Sequence, residues 1–149
     1  MAYRHILVPT DGSAPSRKAI ALAVRLAAAF GARISGLYVV AEGVPTAFTG
    51  SKLYGSGVLS RDVRRRVREE AAQVLGQVER QAAAAGVACR CVRRLARDPW
   101  RAILRFARAS RCDLIVMGSH GRGSLPTVLL GSQTTKVLAH SRIHVLVCR

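Results

Sequence analysis

Short apolar segments alternate with longer stretches of helical periodicity along this 149-residue chain, and that alternation constrains the fold more than any other feature. Each apolar segment has the length of a buried strand, and the stretches between them are long enough to hold helices. Right-handed crossovers of that length place consecutive strands parallel in one sheet. We therefore expect an α/β fold over residues 1–149: a single-domain, open, doubly wound, five-stranded parallel sheet with helices on both faces, which is a Rossmann-like arrangement.

The predicted strands are apolar segments bounded by turn residues. They cover residues 3–10, 34–40, 87–95, 114–117 and 143–148. The third alternates apolar and polar residues, which is typical of a strand near an edge with one wetter face. Residues 41–60 mix Gly, Pro, Thr and Ser without periodicity and predict a long surface loop.

The predicted helices carry apolar residues at helical spacing and have recognisable end signals. They cover residues 14–30, 61–85, 99–110 and about 132–140. Ser13 or Ser16 is a suitable N-cap for the first, and Gly31 fits the position just past its end. Asp98 is a good capping residue for the third helix, and Pro99 suits its first turn.

Composition limits the class of protein. Half of the residues are hydrophobic, and a chain of this length buries enough surface to fold without a metal or disulfide. We find no secretion signal and no apolar stretch long enough to span a membrane, and we expect a cytoplasmic protein. Cys89 and Cys91 lie two apart on one face of a predicted strand, without favourable geometry for a disulfide. We expect reduced, partly buried thiols.

The net charge of +16, from 24 basic and 8 acidic residues, favours polyanionic partners by long-range attraction. Arginines at positions 61, 64, 65, 66 and 68 motivate one alternative function, a nonspecific nucleic-acid or polyanion-binding module. The other reading of the charge is a solvated surface. No aromatic stripe accompanies the arginines to stack bases, so nucleic-acid binding of this kind would be nonspecific.

A glycine-rich segment follows the fourth predicted strand. Gly118, Gly121, Gly123 and Gly131 remove side chains where a backbone can approach phosphates, and Ser132 stands at the start of a helix. The segment matches neither the dinucleotide fingerprint after a first strand nor a P-loop. It predicts a phosphate cradle, with an ordinary flexible loop as the alternative.

The spacing Gly118-x2-Gly121-x9-Gly131-Ser132 resembles the ATP-binding branch of the universal stress protein family. The resemblance extends to the opening segment 6–13, to residues 37–40 and 113–117, and to the closing strand. It covers essentially the whole chain.

The resemblance implies a site for ATP, with Mg²⁺ held mainly through the phosphates. Asp11, which follows Pro9 and Thr10 at the first strand end, is implied to lie near the adenosine. Val39 is implied to contact adenine, and Met117 and Gly118 to line the base and ribose. The implied phosphate contacts are Gly121, Arg122, Gly131, Ser132, Gln133 and Thr134.

Several of these residues also have a purely structural explanation. Asp11 can cap a turn, Val39 is typical of a core, and Ser132 can cap the last helix. His120 lies in the same loop, but a lone histidine there is more often solvated or in contact with phosphate than a catalyst.

The resemblance implies a nucleotide-dependent stress-response or regulatory module rather than a dedicated enzyme, with at most slow ATP hydrolysis. No positioned nucleophile and base are recognisable in the sequence. The family's last strand often pairs across a two-fold axis, which implies a homodimer and leaves room for a regulatory protein partner. His144 departs from the family pattern because proline is common at that point.

Overall fold

The computed structural model describes residues 3–41, 61–121 and 130–149, in which strands and helices alternate throughout. The strands are β1 (His5–Pro9), β2 (Arg33–Ala41), β3 (Cys89–Ala96), β4 (Leu114–Gly118) and β5 (His144–Cys148). The helices are α1 (Ala14–Phe30), α2 (Arg61–Ala84), α3 (Pro99–Ala109) and α4 (Ser132–His140). The loop predicted after β2 lies outside the described residues.

The five strands form one parallel sheet in the order β3-β2-β1-β4-β5. The predicted doubly wound α/β fold is therefore confirmed. The chain first builds outward from β1 to β2 and β3, and then returns to place β4 on the other side of β1. This reversal makes β1 and β4 neighbours at the centre of the sheet.

Alternate side chains of each central strand enter different cores, which explains why the strand sequences are almost continuously apolar. Ile6 and Val8 of β1 pack with α1 on one face, and α2 covers that face farther toward β3. Leu7 points to the other face and packs with Ile103 of α3 and Val137 of α4. Both faces of the sheet are thus covered by helices.

The ends of α1 agree with the sequence signals. Ser13 is the N-cap, and its side chain accepts a hydrogen bond from the Ser16 amide at 3.4 Å. Gly31 follows the last turn in a left-handed conformation with φ of 64°, which glycine adopts without steric cost. The helix begins and ends where these local signals predict.

The start of α3 differs from the prediction. Asp98 occupies the N-cap position, but its side chain makes no capping hydrogen bond. Its carboxylate instead lies 3.6 Å from the guanidinium of Arg101. The Trp100 amide donates to Oε1 of Gln133 on α4 at 3.0 Å. A residue from a distant helix therefore satisfies an amide in the first turn of α3.

The four cysteines are at least half-buried, where the sequence predicted partly buried thiols. All four are free: Cys112 and Cys148 are buried, and Cys89 and Cys91 are half-buried on the edge strand β3.

Within the described ranges, no helix combines the length and apolar character needed to cross a membrane.

The start of α3 generates a test of which residue stabilises it. We expect Gln133→Ala to lower the free energy of unfolding by about 1 kcal/mol, because the Trp100 amide loses its acceptor. Asp98→Ala should change it by less than about 0.5 kcal/mol, because an exposed ion pair contributes little. Urea denaturation of both variants measures the difference, and a larger loss in Asp98→Ala would contradict this assignment.

Candidate functional site

A cavity of about 290 Å³ opens at the carboxyl ends of β1, β2 and β4. After β1 the chain turns to α1 on one face of the sheet, whereas α4 after β4 packs on the other face. Two neighbouring strands whose following helices diverge leave a crevice between them, which is the usual ligand position in sheets of this kind.

Most of the residues predicted for the site line this cavity. Those that do are Pro9, Thr10, Asp11, Val39, Met117, Gly118, Gly121, Ser132, Gln133 and Thr134. Gly131 lies beside the cavity without lining it, because it packs against His120. Arg122 lies outside the described residues.

The sequence prediction missed several lining residues. They are Ser16, Leu37, Ala41, Pro99 and Ile103. Leu37 and Ile103 have the pattern of core residues, and Pro99 was explained by the start of α3. His120 also lines the cavity; its position in the glycine-rich segment was the signal for it.

The turn after β1 is fixed by its own polar side chains. Oδ1 of Asp11 accepts the Ser13 amide at 2.9 Å, so Asp11 does stabilise the turn while it lines the cavity. Thr10 donates its hydroxyl to Ser16 Oγ at 3.1 Å. Gly12, with φ of 78°, supplies a backbone conformation that other residues rarely adopt.

Close packing alone explains why position 118 is a glycine, without any ligand. A Cβ atom at this position would lie 2.8 Å from the Ser16 amide nitrogen and 2.9 Å from the carbonyl carbon of Pro15. The end of β4 therefore approaches the start of α1 too closely for any side chain. This contact brings the glycine-rich segment beside the turn that carries Asp11.

Gly121 and Gly131 also have close neighbours, a side chain at Gly121 and the backbone at Gly131. A Cβ at Gly121 would lie 2.5 Å from Oδ2 of Asp11, and one at Gly131 would lie 3.0 Å from Cα of His120. The Gly131 amide donates to the carbonyl oxygen of Ser119 at 2.7 Å. This bond holds together the two ends of the segment between β4 and α4.

Helix α4 presents its amino end to the cavity. Gly131 is the N-cap and has no side chain to accept a hydrogen bond, so Ser132 is the first helical residue rather than the cap. The first amides of a helix lack intrahelical acceptors and carry a partial positive charge, which suits anions. Ser132 is exposed and lines the cavity at this point.

The side chains of Thr134 and Gln133 hold the architecture together. The hydroxyl of buried Thr134 donates to the carbonyl oxygen of Gly118 at 2.9 Å and ties α4 to β4. Oε1 of Gln133 accepts from Trp100 at the start of α3. These two side chains position the amino end of α4, and both residues line the cavity.

The lining combines apolar and polar residues. Leu37, Val39, Ile103 and Met117 form the apolar part, and the start of α4 forms part of the polar side. Among the described lining residues, Asp11 is the one carboxylate. In the described part of the chain, no group of three or more His, Cys, Asp or Glu side chains is placed to hold a metal ion. The cavity suits a ligand with a flat apolar part and an anionic part.

Comparison with known proteins identifies the class. The model of the universal stress protein family matches residues 2–149. The chain is 33% identical over 147 residues to universal stress protein MJ0531 of Methanocaldococcus jannaschii, covering 99% of this chain and 82% of that protein. It is 34% identical over 149 residues to universal stress protein YxiE of Bacillus subtilis, covering 99% of each. The chain belongs to the universal stress protein family.

Solved structures agree with the fold. Universal stress protein UspA from Lactobacillus plantarum superimposes with a TM-score of 0.79 at 28% identity, covering 100% of this chain and 99% of that one. A universal stress protein in complex with cAMP has a TM-score of 0.68 at 24% identity, with 100% and 98% coverage. An Archaeoglobus fulgidus universal stress protein in complex with dAMP also has a TM-score of 0.68, at 16% identity and 100% coverage of both chains.

The packing at Gly118 generates a stability test. We expect Gly118→Ala to lower the free energy of unfolding by about 1–3 kcal/mol, because the new methyl group meets the backbone of α1. Gly76→Ala is the control: the added Cβ lies 3.1 Å from the flexible end of Arg80, inside α2. That variant should gain about 0.5–1 kcal/mol from helix propensity. Urea denaturation distinguishes the two, and a stable Gly118→Ala would contradict the close approach.

Proposed function

We propose that this universal stress protein binds ATP in the cavity between β1 and β4 and acts as a nucleotide-dependent regulatory module. The observation that carries the proposal is the combination, in one cavity, of an apolar wall with the amino end of α4. Family structures in complexes with cAMP and dAMP support an adenine nucleotide as the ligand class.

The apolar wall suits the adenine base. Val39 is half-buried, and Leu37 and Met117 are buried beside the cavity, so a flat ring can cover apolar surface there. Such burial contributes roughly 25 cal/mol per Å² of apolar area. Asp11 lies on the β1 side, where a carboxylate can accept hydrogen bonds from ribose hydroxyls.

The polar side suits the phosphates. The amides at the start of α4 have no N-cap side chain to satisfy them, so phosphate oxygens can serve as their acceptors. The described lining residues include no arginine or lysine, and the helix end therefore provides the local attraction there. The net charge of +16 adds a long-range attraction for the anionic ligand. We also propose that Arg122 contacts the phosphates of ATP. Mg²⁺ is proposed to bind as the complex with ATP, held mainly by the phosphate oxygens.

Binding, rather than turnover, is the proposed activity. We propose that the ligand joins α4, β4 and the β1 turn, and thereby changes a surface that a second copy or a regulatory protein contacts. The second copy is proposed to pair along β5, an edge strand whose Leu146 is 37% exposed. We further propose that the protein hydrolyses ATP slowly at most and that it is located in the cytoplasm.

The first experiment identifies the ligand. The purified protein is denatured, any released nucleotide is identified by chromatography, and the stripped protein is titrated with ATP, with and without Mg²⁺, at physiological salt. We expect copurified ATP or saturable binding with one site per chain. A folded protein that binds no nucleotide would contradict the proposal.

A cavity-filling variant locates the site. Val39→Trp should weaken ATP binding by at least about tenfold, or about 1.4 kcal/mol, because the indole occupies the space proposed for adenine. Val92→Trp is the matched control: Val92 is also half-buried, lies on the same face of the sheet and does not line the cavity. Calorimetric titration should give it the wild-type affinity. Unchanged binding by a folded Val39→Trp would reject this placement of the base.

A further inference from the structure

Two thiols lie side by side on the α2-facing side of edge strand β3. Cys89 and Cys91 are two residues apart, so the pleat of the strand directs both side chains to the same face. Their sulfur atoms are 3.9 Å apart, and both residues are half-buried with free thiols. We refer to these two residues as the thiol pair; it lies away from the proposed nucleotide site, and neither residue lines that cavity.

The surroundings fix the position of one sulfur. Sγ of Cys91 lies 3.6 Å from the carbonyl oxygen of Leu75 on α2. It also sits over Gly36 of β2, where a Cβ atom would come within 2.6 Å of it. The absence of a side chain at Gly36 thus leaves the space that the Cys91 sulfur fills. Sγ of Cys89 lies 3.9 Å from this atom, on the same edge strand.

We propose that the thiol pair binds one Cu(I) ion between its two sulfurs. Metal–thiolate bonds of about 2.3 Å let a single ion bridge sulfurs as far apart as about 4.6 Å, so the observed separation needs little rearrangement. Thiolate is a soft ligand that selects soft ions such as Cu(I). A monovalent ion bound by two thiolates needs no further protein ligand.

Zinc fits this pair poorly. Structural zinc sites in proteins use four ligands. The described residues contain no group of three or more His, Cys, Asp or Glu side chains that could hold a metal, so the thiol pair stands without the additional ligands. Two sulfurs and no third partner therefore favour Cu(I) over Zn²⁺.

A disulfide also fits poorly. An S–S bond is about 2.05 Å long, far shorter than the present separation of the sulfurs. Cα atoms two residues apart on a strand are about 6.6 Å apart, near the upper limit for a disulfide. Closing the bond would bend β3 away from its pairing with β2, whereas a bridging ion leaves the strand in place.

The binding step is an exchange of protons for the metal. Two S–H bonds break, two Cu–S bonds form, and two protons pass to solvent, without any change in oxidation state. The charge of the bound cation offsets one of the two negative charges that deprotonation leaves on the thiol pair. The other two cysteines, Cys112 and Cys148, are buried in different parts of the core. Burial raises the pKa of the Cys112 thiol to about 11.

The test is a competition for copper. Reduced protein is added without oxygen to the coloured complex of Cu(I) with bicinchoninate, and the loss of colour measures the copper that the protein takes. We expect the wild type to take one equivalent per chain. Cys89→Ser and Cys91→Ser should each weaken Cu(I) binding by more than about 100-fold, since losing even a hydrogen-bond partner of a ligand costs 10–100-fold. The variant Cys112→Ser/Cys148→Ser is the control and should take copper as the wild type does.

A second measurement on the wild type does not depend on the folding of any variant. Cu(I) should protect Cys89 and Cys91 from alkylation by a maleimide, as read by peptide mapping. Failure of the wild type to take copper would overturn the proposal. It would also be overturned by unchanged binding in either single variant, by lost binding in the control variant, or by labelling of the thiol pair that Cu(I) leaves unchanged. Zn²⁺ displacing Cu(I) at equal concentration would overturn the two-thiolate site.

Discussion

The placement of β4 directly beside β1 is the constraint on which the rest of the structure depends. The two strands pair through Ile6 with Leu114 and Leu7 with Ile115, and the end of β4 then meets the start of α1 at Gly118. No side chain fits between them. Because the chain leaves these strands toward opposite faces, the close contact at the base of the crevice also creates the cavity above it.

The same constraint explains why residues of the glycine-rich segment and of α4 both stabilise the fold and line the proposed nucleotide site. The hydroxyl of Thr134 holds α4 to the end of β4, and the Gly131 amide holds the returning chain to Ser119. These bonds direct the first turn of α4 toward the cavity. A preorganised helix end stabilises an anion without an ordering cost at the moment of binding. The glycines allow the close packing, and the amides at the start of α4 are the proposed donors to phosphate.

Local signals predicted the elements well, and contacts between distant residues account for what they missed. Ser13 and Gly31 act within a few residues of α1, so its ends could be read from the sequence. The acceptor for the first turn of α3 could not, because Gln133 lies 33 residues from Trp100. Leu37 and Ile103 line the cavity, yet their sequence pattern is the same as that of any core residue. The family spacing placed Gly118 near the ligand, whereas the structure shows that α1 already fills the space of its side chain.

Part of the positive charge of α2 lies beside carboxylates of the same helix. The arginines that motivated a polyanion-binding module lie on α2, where Arg65 contacts Asp62 at 3.3 Å and Glu69 at 3.8 Å. These exposed pairs stabilise the fold little, but they offset part of the positive charge on that helix.

NMR mapping of backbone amides during titration with ATP and Mg²⁺ distinguishes binding in the cavity from nonspecific binding to the positively charged surface. The account predicts shifts concentrated at Thr10, Asp11, His120, Gly121 and Ser132 to Thr134. Shifts spread over the arginines at the start of α2, with none at the cavity residues, would contradict it.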